Sequence, residues 1–236
     1  MNEQQIKNAG YDAIDLGCAH GNTVQFARDA FGAKKILGID QRGVHHKDAK
    51  RMGFDFLKAD VLDDLLDDDC TKFVTMGHFL EHMPDLDSVD LVLMYALEAA
   101  TEFVYAGNPT WDCVPRLKRH GLKYYWAEWA DHLAHVTTKD IHRILSRRGI
   151  AHVIFASGHA ANSTDLDMHS LKSPNGVAHY DAKQHPPKPM VTFVPSVFKE
   201  MTVFAWKDRQ AWLKWRPKLN VLYGKHHRIM YEEIPE

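Results

Sequence analysis

The chain has 236 residues, 45% of them hydrophobic and 25% charged, with a formal net charge of -2. That length suits one α/β domain with insertions and is short for two full domains. The near-neutral balance excludes a bulk polyanion binder, the three cysteines have no metal or redox spacing, and no apolar run reaches the ~18 residues that a membrane span needs. The sparse cysteines Cys18, Cys70 and Cys113 and the polar first ten residues, which lack a signal-peptide pattern, lead us to expect a cytoplasmic, reducing setting.

After a short polar lead-in over residues 1–10, Tyr11 to Leu16 reads as a buried strand with an acid near its end. Gly17 and Gly21 bracket a tight turn, because a Cβ collides where a backbone turns sharply or touches a ligand. Asn22 to Phe31 predicts a helix with Val24, Phe26, Ala27 and Ala30 inward. Lys35 to Asp40 and Phe54 to Asp60 read as further strands, each ending in an acid. Arg42 to Met52 reads as a helix between them, with Val44 and Ala49 inward. Strand, glycine turn and helix make the first half of a nucleotide-binding βαβ unit, and polar residues at successive strand ends mark the edge where such sheets bind ligands. Asp63 to Asp69 is an acidic run, read as a solvated helix face or as a metal or basic-partner site. Lys72 to Met76 predicts the fourth strand, Leu86 to Ala100 an apolar helix and Thr101 to Gly107 the fifth strand.

From there the pattern is interrupted. Residues 108–135 hold Trp111, Tyr124, Tyr125, Trp126 and Trp129 with a basic run from Arg116 to His120, the composition of a substrate cap or of a segment packed onto the core. Thr137 to Asp140 opens a helix with Ile141, Ile144 and Leu145 inward, and Ala151 to Ala156 is a β-branched strand. Residues 158–196 form a second insertion rich in Asn, Ser, Asp, His and Pro. Met201 to Trp206 is the last expected strand, antiparallel and paired with the Ala151 strand. The tail from Lys207 is basic, with Trp212, Trp215 and Tyr223 interleaved, which suits a docked amphipathic helix or a grip on a phosphate-bearing or sugar substrate.

The runs Ile14 to Thr23, Leu37 to Asp40, Lys58 to Asp64 and Gly77 to Asp85 together resemble class I S-adenosylmethionine-dependent methyltransferases, over about residues 11–158 and again near 201–207. The resemblance implies a single domain built on a doubly wound, mostly parallel seven-stranded sheet with an antiparallel last strand, and S-adenosylmethionine as cofactor. It implies that Asp15, Gly17, Cys18, Ala19, His20 and Gly21 meet the methionine part. Asp40 would take the ribose and Asp60 with Val61 the adenine, and Gln41 and Gly77 would also bind the cofactor. Many members have glycine where this chain has Ala19, a small change in loop geometry.

A sulfonium methyl group is already electrophilic, so the protein must align the acceptor and exclude water, and a hydroxyl acceptor also needs a base. His78, Glu81 and His82 follow the fourth strand, where the methyl group would sit, with His135 and His132 expected near the mouth. Glu81 and His82 also suit a loop held by hydrogen bonds. A second reading remains open: His78, Glu81, His82 and a later histidine resemble the ligand set of metal-dependent methyltransferases acting on small-RNA ribose, with a histidine in place of the first glutamate. No resident metal is expected on the first reading. The acceptor is expected to be a small molecule or sugar-like metabolite methylated on oxygen; nucleic acid is the alternative acceptor, and a catalytically silent cofactor-binding module the third reading. The insertion 158–196 is expected to close as a mobile lid against an aromatic wall from 108–135.

Overall fold

The computed structural model describes residues 6, 9–63, 66–223 and 227–235. The amino half alternates strands and helices: β1 (Tyr11–Leu16), α1 (Asn22–Phe31), β2 (Ile36–Asp40), α2 (His46–Met52), β3 (Asp55–Lys58), β4 (Thr71–Gly77), α3 (Leu86–Ala99) and β5 (Ala100–Pro109). The carboxyl half continues with α4 (Val114–Arg119), β6 (Leu122–Tyr124), α5 (Thr138–Ser146), β7 (His152–Ser157), β8 (Ala160–Asn162), β9 (Met168–Ser170), β10 (Thr192–Val197), β11 (Glu200–Trp206), α6 (Arg209–Tyr223) and β12 (Arg228–Glu233).

The central sheet runs in the order β12-β7-β11-β5-β4-β1-β2-β3. Strands β1 to β5 pair in parallel, and β11 inserts antiparallel between β5 and β7. The strand order reverses direction between β1 and β4, the switch point at which open α/β sheets bind ligands. One correction to the expected seven strands is needed. Strand β12 adds an eighth, antiparallel along the free edge of β7. It carries charges at both ends, and its apolar Ile229, Met230 and Tyr231 are consecutive and do not alternate, so its strand character comes from β7's unpaired backbone and not from a period-two pattern of its own.

Both sheet faces are covered, which is why β2 and β7 are buried throughout. One face packs α3 and α5 through Val89, Val92, Leu93, Ala96, Ile141 and Leu145, with Ile6 beneath them. The other packs α1 and α6 through Val24, Ala27, Phe31, Ala211 and Trp215. The tryptophan-bearing tail therefore docks: Trp215 meets Phe103 at 4.8 Å between ring centroids, and its indole N–H donates to Glu102. Helix α5 starts at a capping box between Thr137 and Asp140, which satisfies amide groups the first turn leaves free. Val44, expected inward, is 65% exposed. Gly43–His45 is a 3₁₀ turn, and its tighter winding puts His45 inward instead. Of the acidic run, residues 64 and 65 lie outside the described residues; Val61–Asp63 is a 3₁₀ turn and no longer helix follows it among the described ones.

The two insertions, expected as a mobile lid and a separate wall, form one body. Strand β6 of the first pairs with β9 of the second, and β8 pairs with β10. Trp111, Leu117, Tyr124 and Trp126 share a core with Met168, Phe193 and Val197. The aromatic rings of the first segment were legible as packing groups; their partners lie in the second, whose polar composition concealed them. Among the described residues no helix is long and apolar enough to cross a membrane.

Asp15 lies at the end of β1 with no exposed surface. Its Oδ1 accepts the Thr75 hydroxyl of β4 at 2.6 Å, while Oδ2 has no hydrogen-bond partner among the described residues. Burial pushes its pKa up to about 7 from 3.8; the Thr75 bond opposes that shift and the neighbouring Asp40 charge adds to it. The folded protein thus holds a proton that the unfolded chain releases near pH 4, and stability falls as pH rises from there through 7. Asp15→Asn in cofactor-free protein is expected to gain stability on wild type across that window, on the order of 4 kcal/mol by pH 8. Thermal unfolding at pH 5 and pH 8 checks it; an equal difference at both would mean Asp15 titrates normally.

Candidate functional site

The glycine turn after β1 is shaped by what lies on it. Gly17 has φ +69°, and a Cβ there would sit 2.1 Å from the Phe79 ring. Gly21, φ +86°, leads into α1, and a Cβ there would meet Met52 and Phe54 at 2.7 and 2.9 Å. Ala19 keeps the left-handed backbone, φ +40°, that glycine adopts more easily. Its N–H donates to Asp40 Oδ2 at 3.1 Å, and Arg42 N–H donates to Oδ1 at 2.8 Å. Each of these oxygens keeps a second lone pair for a ligand hydroxyl. Asp60, at the neighbouring strand end, accepts from Leu62 N–H at 3.0 Å, which fixes its carboxylate direction.

Between these strand ends and the turn after β4 lies a crevice of about 220 Å³. Gly17, Ala19, Asp40, Gln41, Asp60 and Val61 line one side, and His78, Phe79, His82 and Met83 the other. The β4 turn is built from β5. Asn108, 1% exposed, accepts with its Oδ1 from the N–H groups of Phe79 and Leu80 at 3.0 and 3.1 Å. His78 N–H donates to Gly107 O at 2.8 Å. His78 itself takes φ +51°, which turns Phe79 down onto Gly17.

Glu81 follows in a 3₁₀ turn (Leu80–His82) and is 1% exposed, with neither carboxylate oxygen hydrogen-bonded among the described residues. His78 Nδ1 approaches its Oε1 to 3.6 Å. That contact raises the His78 pKa; partial burial opposes the rise, and the charges of Glu81 and Glu200 add to it. On the other side of Glu81 stand His82 and His132, and one ligand atom from each of the three lies within 4.8 Å of the others. His82 Nδ1 bonds the Asp131 carbonyl at 2.9 Å, whereas burial lowers the pKa of His132.

A second pocket of about 190 Å³ adjoins the first, with His78 on the wall of both. Its polar lining comes from Thr23, Gly77, Tyr105, Asn108, Glu200 and Thr202. Of the sequence-predicted residues, Asp15 before the glycine turn and Cys18, His20 and Gly21 within it are not on the crevice wall. Cys18 is buried against Gly38, and burial pushes its thiol up; His20 is exposed and pairs with Asp48 at 2.8 Å. His135 lines neither pocket and stacks on Trp111 at 4.9 Å. Residues that line the site without having been assigned to it are Phe79, Tyr105, Asn108, Glu200 and Thr202. Asn108 was findable as the polar residue ending the fifth strand. Glu200 was not, because it opens an antiparallel strand after an unpatterned insertion.

Residues 1–105 match the family model for FtsJ-like methyltransferases. No curated protein matches the chain. Among solved structures, the YcgJ protein from Bacillus subtilis aligns at TM-score 0.57 and 13% identity, covering 86% of this chain and 96% of that one. A SAM-dependent methyltransferase from Archaeoglobus fulgidus aligns at TM-score 0.56 and 14% identity, covering 87% and 95%. A Haloferax volcanii putative methyltransferase, in complex with the activator Trm112, aligns at 0.54 and 14%, covering 86% and 88%. At these identities the structural likeness is one of fold. By that fold, and by the family match over residues 1–105, the chain is similar to class I S-adenosylmethionine-dependent methyltransferases.

Proposed function

We propose that the protein methylates a hydroxyl oxygen of a small, polar acceptor seated in the second pocket, with His78 as the base. The observation that carries this reading is the position of His78 on the wall shared by crevice and pocket, 3.6 Å from the buried Glu81 carboxylate. Bound S-adenosylmethionine supplies an electrophilic methyl group on sulfur. On this reading Asp40 accepts the ribose hydroxyls, Asp60 and Val61 take the adenine, and the Gly17 turn admits the methionine part. His78 takes the proton from the acceptor hydroxyl as its oxygen attacks, and Glu81 stabilises the imidazolium that forms. Glu200, Asn108 and Thr202 offer the mixture of acceptors and donors that orients a polyol. The docked tail speaks against a nucleic-acid grip there, since Trp215 is committed to the core.

His78 must be neutral to act, and Glu81 raises its pKa, so turnover should climb with pH through a limb above the ordinary histidine value of 6.5. Glu81→Gln is expected to move that limb to lower pH. His78→Ala is expected to remove it and to lower kcat by ~10²–10⁴, with cofactor affinity little changed. Initial rates from pH 5.5 to 9 check this; a limb unmoved in Glu81→Gln would take His78 out of the base role.

The grouping of Glu81, His82 and His132, with both Glu81 oxygens unpartnered, favours a second reading in which a divalent ion polarises the acceptor hydroxyl. Dialysis against a chelator separates the two. Full activity afterwards leaves the histidine base standing, while loss restored by added Mg²⁺ or Mn²⁺ would assign the step to the metal.

A further inference from the structure

On the opposite edge of the sheet a second group of metal-type ligands comes together. His152 opens β7 and lies directly across the ladder from Glu233 of β12. His142 and Ser146, four residues apart on one face of α5, sit over that pair. His142 Nδ1 is 3.0 Å from His152 Nε2, and one ligand atom from each of His142, His152 and Glu233 lies within 4.8 Å of the others. We propose that His142, His152 and Glu233 bind a divalent cation of zinc type that clamps β12 onto β7 and α5.

Four observations support the site. His152 Nδ1 is 2.7 Å from the Ile150 carbonyl, an acceptor, so Nδ1 carries the proton and Nε2 offers its lone pair to the cluster. A ligand histidine held by a backbone carbonyl through its other nitrogen is the usual outer-shell arrangement. The His142 ring is held in turn by stacking on Tyr231 at 4.1 Å and 11°. The spacing also fits: two nitrogens each 2.0–2.1 Å from one zinc ion lie roughly 3.3 Å apart in a tetrahedron. Finally, Glu233 also lines a crevice of about 470 Å³ with Ile150, Trp206 and Lys207, which gives an ion and its water a way in. The Ser146 hydroxyl, bonded to Glu233, or a water completes the set of four. The competing arrangement is a plain hydrogen-bond network, in which His142 donates to His152 and Ser146 donates to Glu233.

The two differ in zinc uptake. The full chain is stripped with chelator and titrated with Zn²⁺ at pH 7.5 by calorimetry, with thermal unfolding followed in parallel. Glu233→Gln keeps the hydrogen bond from Ser146, and His142→Phe keeps the stack on Tyr231, so both variants should fold without metal. Wild type should take up one equivalent that each variant binds at least tenfold more weakly, and zinc should raise the Tm of wild type and of neither variant. Removing the Glu81 group by His132→Gln should leave that Tm rise in place. Equal uptake and equal Tm rise in wild type and both variants, or no uptake at all, would overturn the proposal in favour of the hydrogen-bond network.

Discussion

The candidate site depends on one side-chain oxygen. Asn108 Oδ1 accepts two consecutive backbone N–H groups from the turn after β4. With the His78-to-Gly107 bond, three hydrogen bonds tie that turn to β5. Each contributes on the order of 1 kcal/mol, enough together to hold His78 in a left-handed conformation that costs about 1–2 kcal/mol. From that single conformation the rest follows. The His78 ring stands between crevice and pocket, Phe79 lies on Gly17, and Glu81 is carried beneath the surface toward His78, His82 and His132.

Burial of Glu81 is unusual chemistry for a residue whose oxygens lack donors. A carboxylate away from water needs hydrogen bonds, a cation or a charged histidine. His78 at 3.6 Å and His132, itself buried, are the groups that can answer that need without a metal. Either answer makes the turn after β4 an electrostatic device as well as a wall. The acids at the strand ends work the same way. Burial and the Asp40 charge raise the pKa of Asp15, and burial with the charges of both acids raises that of Cys18.

Much of this was legible in the residues. The strand-turn-helix from Tyr11 to Phe31 appears with the expected bounds, because its glycines, acid and apolar spacing all require one local answer. Asp40, Asp60 and the His78–His82 run appear at the crevice because strand carboxyl ends meet at one edge of a parallel sheet. What sequence could not show is what the chain assembles across long separations. The β6–β9 and β8–β10 pairs unite two polar, irregular insertions, and β12 is a strand only because β7 has a free edge. His20 and His135 carried plausible chemistry, yet Asp48 and Trp111 hold them elsewhere. Asn108 acts through two backbone bonds to a turn some thirty residues earlier, which no local pattern shows.

On the proposed reading, cofactor and acceptor meet at His78. A crystal structure with S-adenosylhomocysteine bound tests it most directly. The ribose hydroxyls are expected on Asp40, the adenine beside Asp60 and Val61, and the sulfur directed past the Gly17 turn toward His78 and the second pocket. A nucleoside seated away from Asp40, or a sulfur turned from His78 with the second pocket closed to it, would overturn this arrangement.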